Sequence, residues 1–161
     1  MNWSELYTMQ KQLDTYIEKN HSLSNANLEK ERMLALLVEL GELANETRCF
    51  KFWSNKQPSG IETIQEEYVD GIHFLMSIGL DQGYEYHEEH VTTPTVDLTT
   101  QFNLVFSGCI YFNEAPTSQN YQKMFERYIE LGKLLGIGET DIYNAYMAKN
   151  KTNYTRQQQG Y

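Results

Sequence analysis

The chain has 161 residues, 40% of them hydrophobic and 13% aromatic, which excludes a disordered segment and is enough to close one core without disulfide staples. Its formal net charge of −9 opposes a nucleic-acid footprint or an anionic membrane surface as partner. Cys49 and Cys109 have neither the number nor the spacing of a disulfide framework or a zinc site. They read as thiols of a reducing compartment. No leader-like stretch stands in residues 1–5, and no run of about 18 apolar residues exists, so the expected location is the cytoplasm.

Pro58, Pro94 and Pro116 fall between periodic segments. Over residues 4–20, Leu6, Tyr7, Met9, Leu13, Tyr16 and Ile17 recur at three- and four-residue spacing and predict a first helix. Asn27 is the candidate cap of a second, with Glu29 in its first turn, running through Leu34, Leu37, Leu40 and Leu43 to Arg48. Ser59 and Gly60 open a third helix over residues 61–80, ended by Asp81-Gln82-Gly83. Residues 84–99 are polar and read as loop. Residues 98–112 are apolar and ambiguous in period, and context favours helix. Residues 118–135 are amphipathic and stop at Gly136. Gly138-Glu139-Thr140-Asp141 opens a last helix reaching about Lys149, and residues 151–161 are polar, glutamine-rich and read as extended. The expectation is one all-α bundle of about six helices.

The second helix contains Glu39-Leu-Gly-Glu42 and the third Glu67-Tyr-Val-Asp70. Each is an acid pair at i and i+3, on one helical face. The 24 residues between Glu42 and Glu67 allow a turn and return, so two antiparallel helices bring four acids together. Acid pairs on helices usually face water. Here neither has a Lys or Arg at i+4 to relieve repulsion worth a few tenths of a kcal/mol. Leu34, Ala35 and Val38 lie opposite Leu36, Leu37, Leu40, Leu43 and Ala44, so the second helix reads as buried nearly all round. Buried carboxylates need cations, and a hard divalent ion with oxygen ligands, Mg²⁺ or Mn²⁺, is the simplest. Such ions serve phosphate chemistry, which also needs cationic side chains. Arg48 and Lys51 follow the first acid pair, and Lys149, Lys151 and Arg156 lie near the end. Phe52 and Trp53 read as core aromatics on residue type alone. His87 and His90 lack the helical i, i+4 spacing of a metal pair, and that reading is rejected.

Four motifs in order carry a resemblance: Met9-Gln10-Lys-Gln-Leu13-Asp14; Glu39-Leu-Gly-Glu42 through Arg48-Cys-Phe-Lys51-Phe-Trp53; Glu66-Glu67-Tyr-Val-Asp70-Gly-Ile-His73; and Lys149-Asn-Lys-Thr-Asn153-Tyr-Thr-Arg156 through Gly160-Tyr161. The acid pairs look like those of the MazG-like all-α pyrophosphohydrolases, and the whole set resembles the dimeric dUTPases of bacteria, phages and trypanosomatids. The resemblance implies a homodimer that hydrolyses dUTP, and plausibly dUDP, with Mg²⁺ held by Glu39, Glu42, Glu67 and Asp70. Glu39 would also orient and deprotonate the attacking water. Lys51, Lys149 and Arg156 would hold phosphate oxygens, with Asn153 and Tyr161 nearby. Gln10, Trp53 and His73 would line the uracil and deoxyribose pocket. Residues 150–161 would be mobile and order over substrate. Residues 84–120 match least. Some phage members of that family also bind a repressor, and this segment would be the place for such a contact. Alternatives are a related enzyme for another nucleotide, such as dCTP or a damaged base, and a protein-binding regulator.

Overall fold

A computed structural model describes residues 1–24, 26–88 and 91–161. Six helices form, α1 (Trp3–Asn20), α2 (Glu29–Thr47), α3 (Ile61–Gln82), α4 (Leu98–Glu114), α5 (Ser118–Leu134) and α6 (Glu139–Gln158), and the described residues contain no strand. Among them, no helix is long and apolar enough to cross a membrane. The caps are local chemistry. Asn2 Oδ1 accepts from Glu5 N–H at 3.3 Å, Asp97 from Thr100 N–H at 3.0 Å and Thr117 from Asn120 N–H at 3.2 Å. Asn27 Oδ1 accepts from Glu29 N–H at 3.0 Å, one residue outside the formal cap, Leu28. Gly83, at φ 71°, closes α3 in the left-handed region that glycine tolerates. The rejected His87–His90 pair falls partly outside the described residues.

α3 is the central rod. It packs against α1, α2, α5 and α6, while α4 pairs mainly with α5. Its Tyr68, Val69, Ile72, Leu75 and Met76 are fully buried. Antiparallel packing of α2 on α3 is pinned at the far end by Gln82 donating to Glu29 at 2.6 Å and by Arg32 binding Asp81. At the near end, Ser59 bonds back to Glu46. Five of the 12 tyrosines, Tyr7, Tyr68, Tyr121, Tyr128 and Tyr146, are fully buried. Tyr68 and Tyr128 stack with centroids 4.8 Å apart, and each hydroxyl donates to the other's backbone carbonyl, at 3.1 and 2.8 Å. The two hydroxyls lie over Gly132 and Gly71, where a Cβ would collide. The described residues of the polar stretch between α3 and α4 are unhelical as expected, yet they bury Tyr86 and Val91. Tyr86 stacks on Phe125 at 4.3 Å.

Three expectations need correction. α2 is not buried all round: Leu34 is 63% and Val38 49% exposed, because α2 meets α3 and α4 only through its Leu36–Leu40–Leu43 side. Phe52 and Trp53 are not core, being 94% and 64% exposed in the connection between α2 and α3. Residues 151–158 are not extended but continue α6 to Gln158. Contacts with α1 hold that polar end, Tyr154 packing on Tyr16 at 5.1 Å and Gln157 pairing with His21 at 3.0 Å.

Candidate active site

The middle of α2 faces the start of α3, and ligand oxygens of Glu39, Glu67 and Asp70 come within 4.8 Å of one another. Burial pushes Glu39 up to about 7, and the charges of Asp70, Glu42 and Glu67 push the same way. Burial also raises Glu67 and Asp70. Like charges gathered at a partly dry spot want a cation. Lys149 of α6 meets part of that demand, donating to Asp70 at 2.5 Å and to Glu66 at 3.0 Å. Burial alone would pull the Lys149 ammonium down, but these two carboxylates win and raise it. Three convergent carboxylates with hard oxygen donors fit a divalent ion. Glu42 is exposed and stands outside the three-way group, though near enough to bear on Glu39.

A cavity of about 370 Å³ opens beside the acids. Glu39 and Asp70 line it on one side, Lys149, Asn153, Arg156 and Tyr161 of the C-terminal segment on another, and Gln10 and His73 at its base. Arg156 lies 5.3 Å from the Tyr161 ring centroid. Apolar walls come from Leu13, Ile17, Leu28 and Phe74. A cavity of similar size, about 360 Å³, lies by Tyr86, Gln122 and Glu126 but faces none of the clustered acids.

The floor is polar and largely buried. Gln10 Nε2 donates to Asp14 at 2.9 Å and to Ser77 Oγ at 3.0 Å. Its Oε1 accepts from His73 Nδ1–H at 2.7 Å and from Tyr146 O–H at 2.9 Å. His73 stacks on Tyr146, centroids 4.3 Å apart. Burial, and then the nearby charge of Lys149, pushes His73 down to about 3, so the ring is neutral. Its Nε2 is buried and finds no partner among the described residues.

Thus the helices bring together Gln10, Glu39, Glu67, Asp70, His73, Lys149, Asn153, Arg156 and Tyr161. Lys51 and Trp53 do not line this cavity. They sit on the α2–α3 connection, where Arg48 at φ 57° ends α2 and spends its guanidinium on Lys56 O and Ser54 Oγ, at 3.0 and 2.7 Å. Sequence reasoning quoted Asp14 within a motif but gave it no role, and it passed over Arg32, Ser77 and Tyr146. Asp14 and Ser77 stand one helical turn beyond Gln10 and His73, a signal of shared faces.

An all-helical bundle that sets clustered acids against a lysine and an arginine across one cleft is a phosphate-handling enzyme. Residues 2–161 match the family model described as dUTPase. The chain belongs to that family, the all-α dUTPases, and is an enzyme of the dUTP diphosphatase class. No curated protein matches the chain.

Proposed function

We propose that the protein hydrolyses dUTP to dUMP and pyrophosphate in this cleft, with Mg²⁺ as the metal and dUDP as a secondary substrate. The observation that supports it best is the group of three carboxylates within 4.8 Å, set beside a cavity that also holds Lys149, Arg156 and the His73–Gln10 pair. Glu39, Glu67 and Asp70 hold the ion, with Glu42 completing the shell. When bound, the ion neutralises charge developing on the phosphates and lowers the pKa of water. Glu39 also orients the attacking water and accepts its proton. Lys149 and Arg156 fix phosphate oxygens electrostatically, and Asn153 and Tyr161 close over the substrate. Gln10 and His73 read the base.

A second copy of the chain completes the enzyme. The exposed apolar groups Leu34 and Val38 of α2, Ile61 of α3, and Phe52 and Trp53 between them form the surface a homodimer buries. Lys51 and Trp53 meet substrate only in that assembly. Pyrophosphate release from each deoxynucleoside triphosphate, with Mg²⁺ and with chelator, tests the reading. Release from dUTP alone, abolished by chelator, is expected; equal rates on dUTP and the four standard deoxynucleoside triphosphates, or indifference to chelator, would refute it.

A further inference from the structure

The amide of Gln10 has two possible orientations, and most of its neighbours accept either. Ser77 and Tyr146 present hydroxyls, which donate or accept. Tyr146 O–H also has a second acceptor in reach, Leu6 O at 3.4 Å, should Gln10 turn round. His73 presents Nδ1, which donates in one tautomer and accepts in the other. Only Asp14 discriminates, because a carboxylate solely accepts. It requires Gln10 Nε2 on its side and so Oε1 on the side of His73. Partial burial, with the charge of Asp81, raises the Asp14 carboxyl above its ordinary value, while Ser77, Arg32 and Gln10 hold it down toward the carboxylate. The Arg32 guanidinium stands 3.8 Å from Asp14 and is anchored by Glu18 at 2.7 Å and by Asp81.

We propose that Asp14, paired with Arg32, is a positioning residue that orients the Gln10 amide and through it holds His73 in the Nδ1–H tautomer, leaving Nε2 as an acceptor for a ring N–H of the substrate base. The buried, unpartnered Nε2 of His73, a residue that lines the cavity, is the independent sign of a missing donor. The inference rests on the nucleotide reading above and deepens it. A pyrimidine whose ring nitrogen carries a proton satisfies Nε2. One whose ring nitrogen is a bare acceptor sets two lone pairs against each other, so the cleft discriminates by charge distribution and not by size. Neither Asp14 nor Arg32 touches the reacting atoms in this scheme.

The test is ¹⁵N NMR of imidazole-labelled full-length protein without nucleotide. His73 is expected wholly as the Nδ1–H tautomer at neutral pH. In Asp14→Ala both tautomers appear, and the ratio of kcat/KM for dUTP over dCTP falls about tenfold, the scale of one buried hydrogen bond. Arg32→Lys keeps the single tautomer, and Arg32→Met gives the mixture even if Asp14→Ala does not fold. A wild-type His73 found as the Nε2–H tautomer, or protonated, overturns the relay. So does an unchanged tautomer in Asp14→Ala and Arg32→Met. Failure to hydrolyse dUTP refutes the functional reading instead, and the spectra still decide the relay.

Discussion

Replacing Glu39 with Gln separates what the acid cluster costs the fold from what it does for catalysis. In the free protein the Glu39 carboxyl is raised from 4.5 to about 7 by burial and by Asp70, Glu42 and Glu67. A shift of that size equals about 3 kcal/mol for a fully buried group, and partial exposure brings it down to about 1–2 kcal/mol. The sign follows from proton counting. Between 4.5 and about 7 the folded chain binds the proton that the unfolded chain has lost, so stability falls as pH rises through that window. Above it the folded state bears the whole penalty, and Gln removes it. Thermal unfolding in chelator should therefore show Glu39→Gln melting about 2–6 °C higher than wild type near pH 8, a gain that shrinks toward zero near pH 5. Adding Mg²⁺ should stabilise wild type more than the variant, and dUTP hydrolysis should be lost in the variant. A lower melting temperature near pH 8, or the same gain at both pH values, would show that the cluster is not an electrostatic strain and refute the reasoning.

Other consequences are equally direct. Mg²⁺ affinity measured by calorimetry should climb toward pH 7 and flatten above it, since ion binding displaces the Glu39 proton; a flat profile over that range speaks against Glu39 as a ligand. Lys149→Met leaves Asp70 and Glu66 without their cation, so KM for dUTP should rise and the chelated protein should lose stability by denaturant titration, while an unchanged KM removes the phosphate role. Gly71→Ala drives a methyl into the Tyr128 hydroxyl and should cost about 1–3 kcal/mol in urea unfolding; wild-type stability would mean that the α3–α5 contact yields. Asp97→Ala loses two bonds to Thr100 at the start of α4, and a lower unfolding midpoint is expected in the same assay; an unchanged midpoint would mean that the cap adds nothing.

Six helices, their order and most of their ends follow from the chain alone. The reasons are local: apolar spacing along α1 and α5, Asn27 beside the start of α2, Gly83 and Gly136 as stops; the caps Asp97 and Thr117 were recognised only in the structure. The acid pairs are legible for the same reason, since i and i+3 share a face in any helix. The end of α6 was not legible, because its polar residues owe their helicity to Tyr16 and His21 more than a hundred residues earlier.

The site divides along the same line. That Glu39, Glu67 and Asp70 would meet required only that α2 and α3 pair antiparallel. That Glu42 would stand outside the group and that Lys149 would reach Asp70 across from α6 depended on the rotation of each helix about its own axis, and that Lys51 and Trp53 do not line the cavity of the single chain depended on the path of the α2–α3 connection. The Arg32–Asp14–Gln10–His73 chain draws one residue from α2, two from α1 and one from α3, and only its Gln10–Asp14 step has a helical spacing to announce it. A sequence determines periodicity and termini because these are set within a few residues. Which buried polar atoms end up facing one another is decided only when the rods close-pack and water is excluded between them.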